Sequence, residues 1–98
     1  WPHEVEGWEP TRPFTVTYNY SAYPAVREAR RLVADGALGT VRLCRISWGQ
    51  DGLLRPDGEA GWRGDPARSG PGGSLADLGT HCLHLAEFVL GTPVTELC

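Results

Sequence analysis

The chain has 98 residues, 41% of them hydrophobic and 21% charged, with a formal net charge of −3 at pH 7. That length suits one small domain with a modest core, hiding ~60–65% of the surface its unfolded chain exposes. The mildly acidic balance gives no footprint for nucleic acid or an anionic membrane, and no apolar run is signal-like or long enough to span a bilayer.

In chain order, residues 1–13 hold three prolines and three glutamates without usable periodicity, and read as an irregular leader. Phe14 to Tyr20 is β-branched and aromatic, the composition of a strand. Pro24 suits a first helical turn and predicts a helix through Asp35, with Ala22, Val26, Ala29 and Val33 on one face and Arg27, Glu28, Arg30 and Arg31 outside. Gly36 is placed to cap it in the left-handed conformation. The arginines read as a solvated face or, more sharply, as a phosphate patch. Val41 to Trp48 predicts a second strand with imperfect alternation, which a bulge or burial on both faces would explain. Residues 49–73 form a long irregular stretch holding Gln50, Asp51, Trp62 and Arg63. A Trp-Arg pair can stack on a flat ring while clamping an oxyanion, and equally Trp62 can anchor the loop to a core.

The stretch from Gly70 to Gly91 organises the rest. Ser74 followed by Asp77 is a capping pattern that predicts a helix starting at Ser74. Leu75, Leu78, Cys82, Leu85 and Val89 form an apolar stripe, widened by Leu83, Ala86 and Leu90, that should face a core. Asp77, His81, His84 and Phe88 fall on another face, and Gly91 with Pro93 ends the helix. Asp77 reads as a capping carboxylate and the helix histidines, His81 and His84, as solvated side chains; a metal reading is also available, since the three sit within a turn of each other, but it lacks a further ligand.

The three cysteines are odd in number and widely spaced, which suggests neither a disulfide framework nor a zinc knuckle and fits a cytoplasmic setting. All nine basic residues are arginine. Without lysine there is no Walker-type phosphate loop, no lysine general acid and no Schiff base. The sequence opens at Trp1 without a methionine and stops at Cys98 after what reads as the first residues of a strand, as a fragment would.

Gly72-Gly73-Ser74-Leu75-Ala76-Asp77-Leu78-Gly79-Thr80-His81 resembles the active-site helix of the Gfo/Idh/MocA family of NAD(P)-dependent sugar and polyol dehydrogenases. Thr17-Tyr18-Asn19-Tyr20 with Pro24, the Gly36-Ala37-Leu38-Gly39 turn, Gln50-Asp51 and Trp62-Arg63 resemble further family landmarks in the same order. The resemblance implies an α+β fold: residues 14–20 as the last strand of a Rossmann domain, and residues 21–98 as the incomplete start of a second domain with a large, mostly antiparallel sheet. It implies NAD or NADP as cofactor, bound mainly elsewhere, a sugar or polyol such as an inositol as substrate, and a homo-oligomer when full length. In the family pattern a lysine, an aspartate and a histidine surround the reacting carbon. Here Asp77 would tune the acid-base pair, and His81 would hydrogen-bond the substrate hydroxyl and share the proton. Tyr18, Asn19, Trp62 and Arg63 would sit near substrate or cofactor; His84 has no implied role, and no metal ligand is implied.

The chain departs from the family pattern in three places. It has neither the G-x-G-x-x-G fingerprint nor the Glu-Lys-Pro segment, so it cannot hold a dinucleotide in the usual way. Tyr18-Asn19-Tyr20-Ser21 stands where Tyr-Asn-x-Arg is frequent, and Gln50-Asp51-Gly52 where Gln-Asp-Trp is common. The leading expectation is part of an oxidoreductase, inactive alone. The alternatives are a non-enzymatic binding or oligomerisation module and, third, a metal-dependent hydrolase.

Overall fold

The computed structural model describes residues 7, 9, 11–51 and 61–98. Regular structure among them is helical. A 3₁₀ turn, Asn19–Ala22, leads into helix α1, Pro24–Ala34; a second 3₁₀ turn, Gly61–Gly64, precedes the single-turn helix α2, Pro66–Ser69; and a π-helical turn, Leu75–Gly79, runs directly into helix α3, Thr80–Leu90.

Helix α1 forms for local reasons. Pro24 stands in its first turn, where the missing N–H costs nothing. Val26, Ala29, Leu32 and Val33 share the half-buried face, and Arg27, Glu28, Arg30 and Arg31 are exposed. Arg31 forks onto Glu28 at 2.7 and 2.9 Å and also meets Asp35, so this arginine is committed within its own helix. The helix ends in a Schellman arrangement: the N–H of Gly36 donates to the carbonyl of Val33 at 3.1 Å and that of Ala37 to Leu32 at 3.0 Å. Gly36 sits at φ +69°, as its expected capping role requires.

Helix α1 lies against helix α3. Arg30 crosses between them, its Nη1 donating to the carbonyl of Phe88 at 2.7 Å while the guanidinium lies 4.6 Å from the centre of the Phe88 ring. One cation thus answers both the electron-rich ring face and a carbonyl near the negative end of the helix dipole.

The expected α+β fold is corrected by this architecture: no strand is formed among the described residues, and neither 14–20 nor 41–48 enters a ladder. β-branched and aromatic composition fits a segment for a sheet, but a sheet exists only through paired neighbours. Phe14 is 65% exposed and Leu43 79%, and Asn19 to Ala22 coils into the 3₁₀ turn instead. The modest core also does not form, since no described residue is fully buried. The radius of gyration, 16.8 Å, exceeds the ~13 Å of a compact chain this long. Of the stretch 49–73, residues 52–60 lie outside the described residues, and 61–69 are less irregular than expected, because α2 is nucleated by Asp65, whose carboxylate accepts the N–H of Ala67 at 3.0 Å. Most of the 1–13 leader lies outside the described residues, and no described helix is long and apolar enough to cross a membrane.

Candidate functional site

The entry to the long C-terminal helix differs from the expected capping box. Ser74 has helical backbone angles and makes no side-chain cap. Instead the carbonyl of Gly72 accepts the N–H groups of Leu75 at 2.9 Å and Ala76 at 3.2 Å. A Cβ on Gly72 would lie 2.7 Å from that of Ala76, so the position requires its glycine. Asp77 therefore does not reach back to cap the helix; it lies inside the π-helical turn.

A π turn closes its hydrogen bonds one residue further along than an α turn does, and this rotates the segment before it relative to the helix beyond it. Leu75 shows the consequence: meant for the apolar stripe, it is 73% exposed, whereas Leu78, Cys82, Leu85 and Val89 stay half-buried. Thr80 marks the junction, its hydroxyl donating to the carbonyl of Ala76 at 3.2 Å.

Asp77 is engaged by a residue outside the helix. Arg63 Nε donates to Asp77 Oδ2 at 2.6 Å, and the Arg63 guanidinium lies 4.4 Å from the centre of the Trp62 ring. Arg63 thus spends its guanidinium within the chain, on the Trp62 ring and the Asp77 carboxylate. No hydrogen bond joins Asp77 to His81 among the described residues.

His81 is set among rings. Tyr18 meets it edge-on with centroids 5.5 Å apart, Tyr20 does so at 5.0 Å, and Trp48 lies 6.0 Å away, tilted by 29°. Tyr20 also meets Trp48 edge-on at 4.4 Å. His84 stacks on Tyr18 at 4.2 Å, with the planes 23° apart. Among the described residues, neither Nδ1 of His81 nor Nε2 of His84, both buried, meets a hydrogen-bond partner.

Of the residues singled out from the sequence, Tyr18 and His81 come together, Trp62, Arg63 and Asp77 form a second group, and Asn19 is exposed at the start of its 3₁₀ turn. Tyr20, Trp48 and His84 complete the ring cluster without having been assigned a role there. Two tyrosines spaced two apart were the available signal. Asp77, His81 and His84 do not converge, and no cluster of three potential ligands is gathered for a metal among the described residues. Beside the ring cluster, Tyr18, Thr80, His84 and Glu87 face residues 94–97 across an open cavity of about 470 Å³. Glu87 helps hold that wall by accepting the N–H of Val94 at 2.8 Å.

Residues 26–98 match the profile of the GFO/IDH/MocA C-terminal domain. The levoglucosan dehydrogenase of Pseudarthrobacter phenanthrenivorans is 32% identical over 76 residues, which cover 78% of this chain and 19% of that protein. The uncharacterized oxidoreductase YfiI of Bacillus subtilis is 28% identical over 80 residues, covering 76% of this chain and 20% of that protein. The chain thus spans about a fifth of the length of these curated relatives. No solved structure matches it.

Proposed function

The chain belongs to the Gfo/Idh/MocA family of oxidoreductases, and from that premise we propose that it is part of an NAD(P)-dependent enzyme moving a hydride between nicotinamide and a secondary alcohol carbon of a sugar or polyol. The observation that carries the reading is that the matched stretch includes Asp77 and His81, on a π turn and the helix it runs into, with His81 set among rings. The nicotinamide, when bound, supplies the hydride chemistry. The residues present fit the reacting end of such a ligand better than its pyrophosphate: Tyr18, Tyr20 and Trp48 offer ring faces and edges, and no G-x-G-x-x-G loop occurs in the 98 residues.

His81 is the group that takes the hydroxyl proton when the alcohol is oxidised and returns it on reduction. Asp77 acts at one remove. Its carboxylate, neutralised by Arg63, keeps a negative charge from lying free beside the reacting carbon, and a change of partner from Arg63 to substrate or His81 would bring it into the proton path. Trp62 holds Arg63 in place for that exchange. Three free cysteines agree with placing the enzyme in the cytoplasm.

The test uses the complete oxidoreductase with NAD+ and NADP+ and a panel of sugars and polyols that includes inositols and, from the name of one relative, levoglucosan. Reduced nicotinamide should form with at least one member. His81→Asn should lower kcat by about 10²- to 10⁴-fold, the range for losing a general acid-base group. A protein that turns over no member of the panel and binds neither NAD(H) nor NADP(H) refutes the reading.

A further inference from the structure

His84 is the imidazole on α3 to which the proposed chemistry gives no task, yet its contacts are specific. It lies nearly parallel on Tyr18 at 4.2 Å, and Tyr18 presents its edge relation to His81 at 5.5 Å and 85°. An imidazole that passes protons needs a fixed ring plane, and a carboxylate or carbonyl on its second nitrogen commonly provides that. Among the described residues His81 Nδ1 has no such partner, and the carboxylate of Asp77, four residues before it, is taken by Arg63. Ring contacts must set the plane instead, through the preference of aromatic pairs for edge-on and offset geometries.

Tyr18 precedes the 3₁₀ turn in a segment without regular structure, and its backbone carbonyl accepts the Ser21 hydroxyl at 2.8 Å. That bond fixes the backbone and leaves the ring to be oriented by what it touches. We propose that His84 is a positioning residue: its flat face holds the Tyr18 ring against His81 and so orients the imidazole for proton transfer. This rests on the reading of His81 as the proton-transfer group. What the position requires is a flat ring, because among the described residues the buried Nε2 of His84 makes no bond that a phenyl would lose.

The experiment compares wild type, His84→Phe and His84→Leu in the complete oxidoreductase, with His84→Gln as a second ringless variant should leucine disturb the helix. Two quantities are measured: kcat and KM on the active member of the sugar panel, and the ¹H–¹³C resonances of the His81 ring, which sense the ring currents of Tyr18. His84→Phe should keep both. The ringless variants should lower kcat about 2- to 12-fold, the equivalent of one aromatic pair, with KM unchanged and the His81 resonances displaced. His81 resonances unmoved in the ringless variants, or a phenylalanine variant as impaired as they are, would overturn the assignment. Failure of the wild type on the whole panel would count against hydride transfer alone, since the ring resonances decide the role of His84 without turnover.

Discussion

Removing the Arg63 guanidinium should loosen the start of the C-terminal helix, and the geometry sets the size of the effect. Arg63 Nε donates to Asp77 Oδ2 at 2.6 Å, with the arginine side chain 50% exposed and the aspartate 23%. A charge-assisted hydrogen bond in a shielded site contributes about 1.5–3 kcal/mol. Solvent screening around the half-exposed arginine draws that down toward the roughly 0.2–1 kcal/mol of exposed pairs. The stack on Trp62 limits the loss by holding the guanidinium in place. A coupling of about 1 kcal/mol is the outcome, a factor of ~5 in the local opening equilibrium. Native-state amide exchange at residues 75–84 reads that equilibrium directly. A cycle of Arg63→Ala, Asp77→Asn and the double variant should show the coupling, and part of it should vanish in 1 M salt, where the Debye length is about 3 Å. Single-variant effects that add to within ~0.3 kcal/mol would show that the contact contributes nothing.

Two further outcomes concern the helices. Glu28 has its carboxyl held below the ordinary range, chiefly by its hydrogen bond to Arg31. A depressed carboxyl stabilises above its unfolded value of 4.5 and loses that contribution as pH falls through the folded one. A peptide spanning residues 22–38 should therefore lose helical circular dichroism below that value; the Glu28→Gln peptide should lose less, and equal losses would discount the pair. Arg31, raised mainly by the same bond, adds no transition at accessible pH. Gly91 ends α3 at φ +68°, so Gly91→Ala should cost about 1 kcal/mol in exchange protection at the last turn of α3. Unchanged protection there would mean the left-handed cap is not needed.

What was legible in the sequence is what local chemistry decides. Pro24 and Gly36 bracket α1, and Gly91 stops α3, because a fixed φ and a left-handed cap are properties of single residues. The strand readings failed, since Phe14 to Tyr20 and Val41 to Trp48 carry the right side chains but find no paired neighbour among the described residues. Ser74 and Asp77 show a subtler limit. The capping pattern is present, yet Gly72 takes the first carbonyl role and Arg63, fourteen residues upstream, captures the carboxylate. Periodicity likewise grouped His84 with Phe88, whose ring centres lie 6.1 Å apart, and His81 with His84, which both meet Tyr18. It failed for Leu75 and Asp77, because a regular repeat carries no signal for a π turn.

That turn also changes what the length of the segment means. A strict α-helix tolerates no gain or loss of one residue without turning everything beyond it by about 100°. Leu75–Gly79 already holds a surplus residue, so it is the place where the chain can shorten by one and remain helical. Deleting Ala76 would relax the turn toward α geometry and swing the segment before it around the axis, giving Leu75 and the Arg63 contact new neighbours while the ring cluster around His81 kept its own. The helix is thus built in two parts that can be re-indexed against each other: one holds the carboxylate and the other the imidazoles. A match to D-x-G-x-H fixes the count of residues between them, and the coil in between decides how far apart in angle they stand.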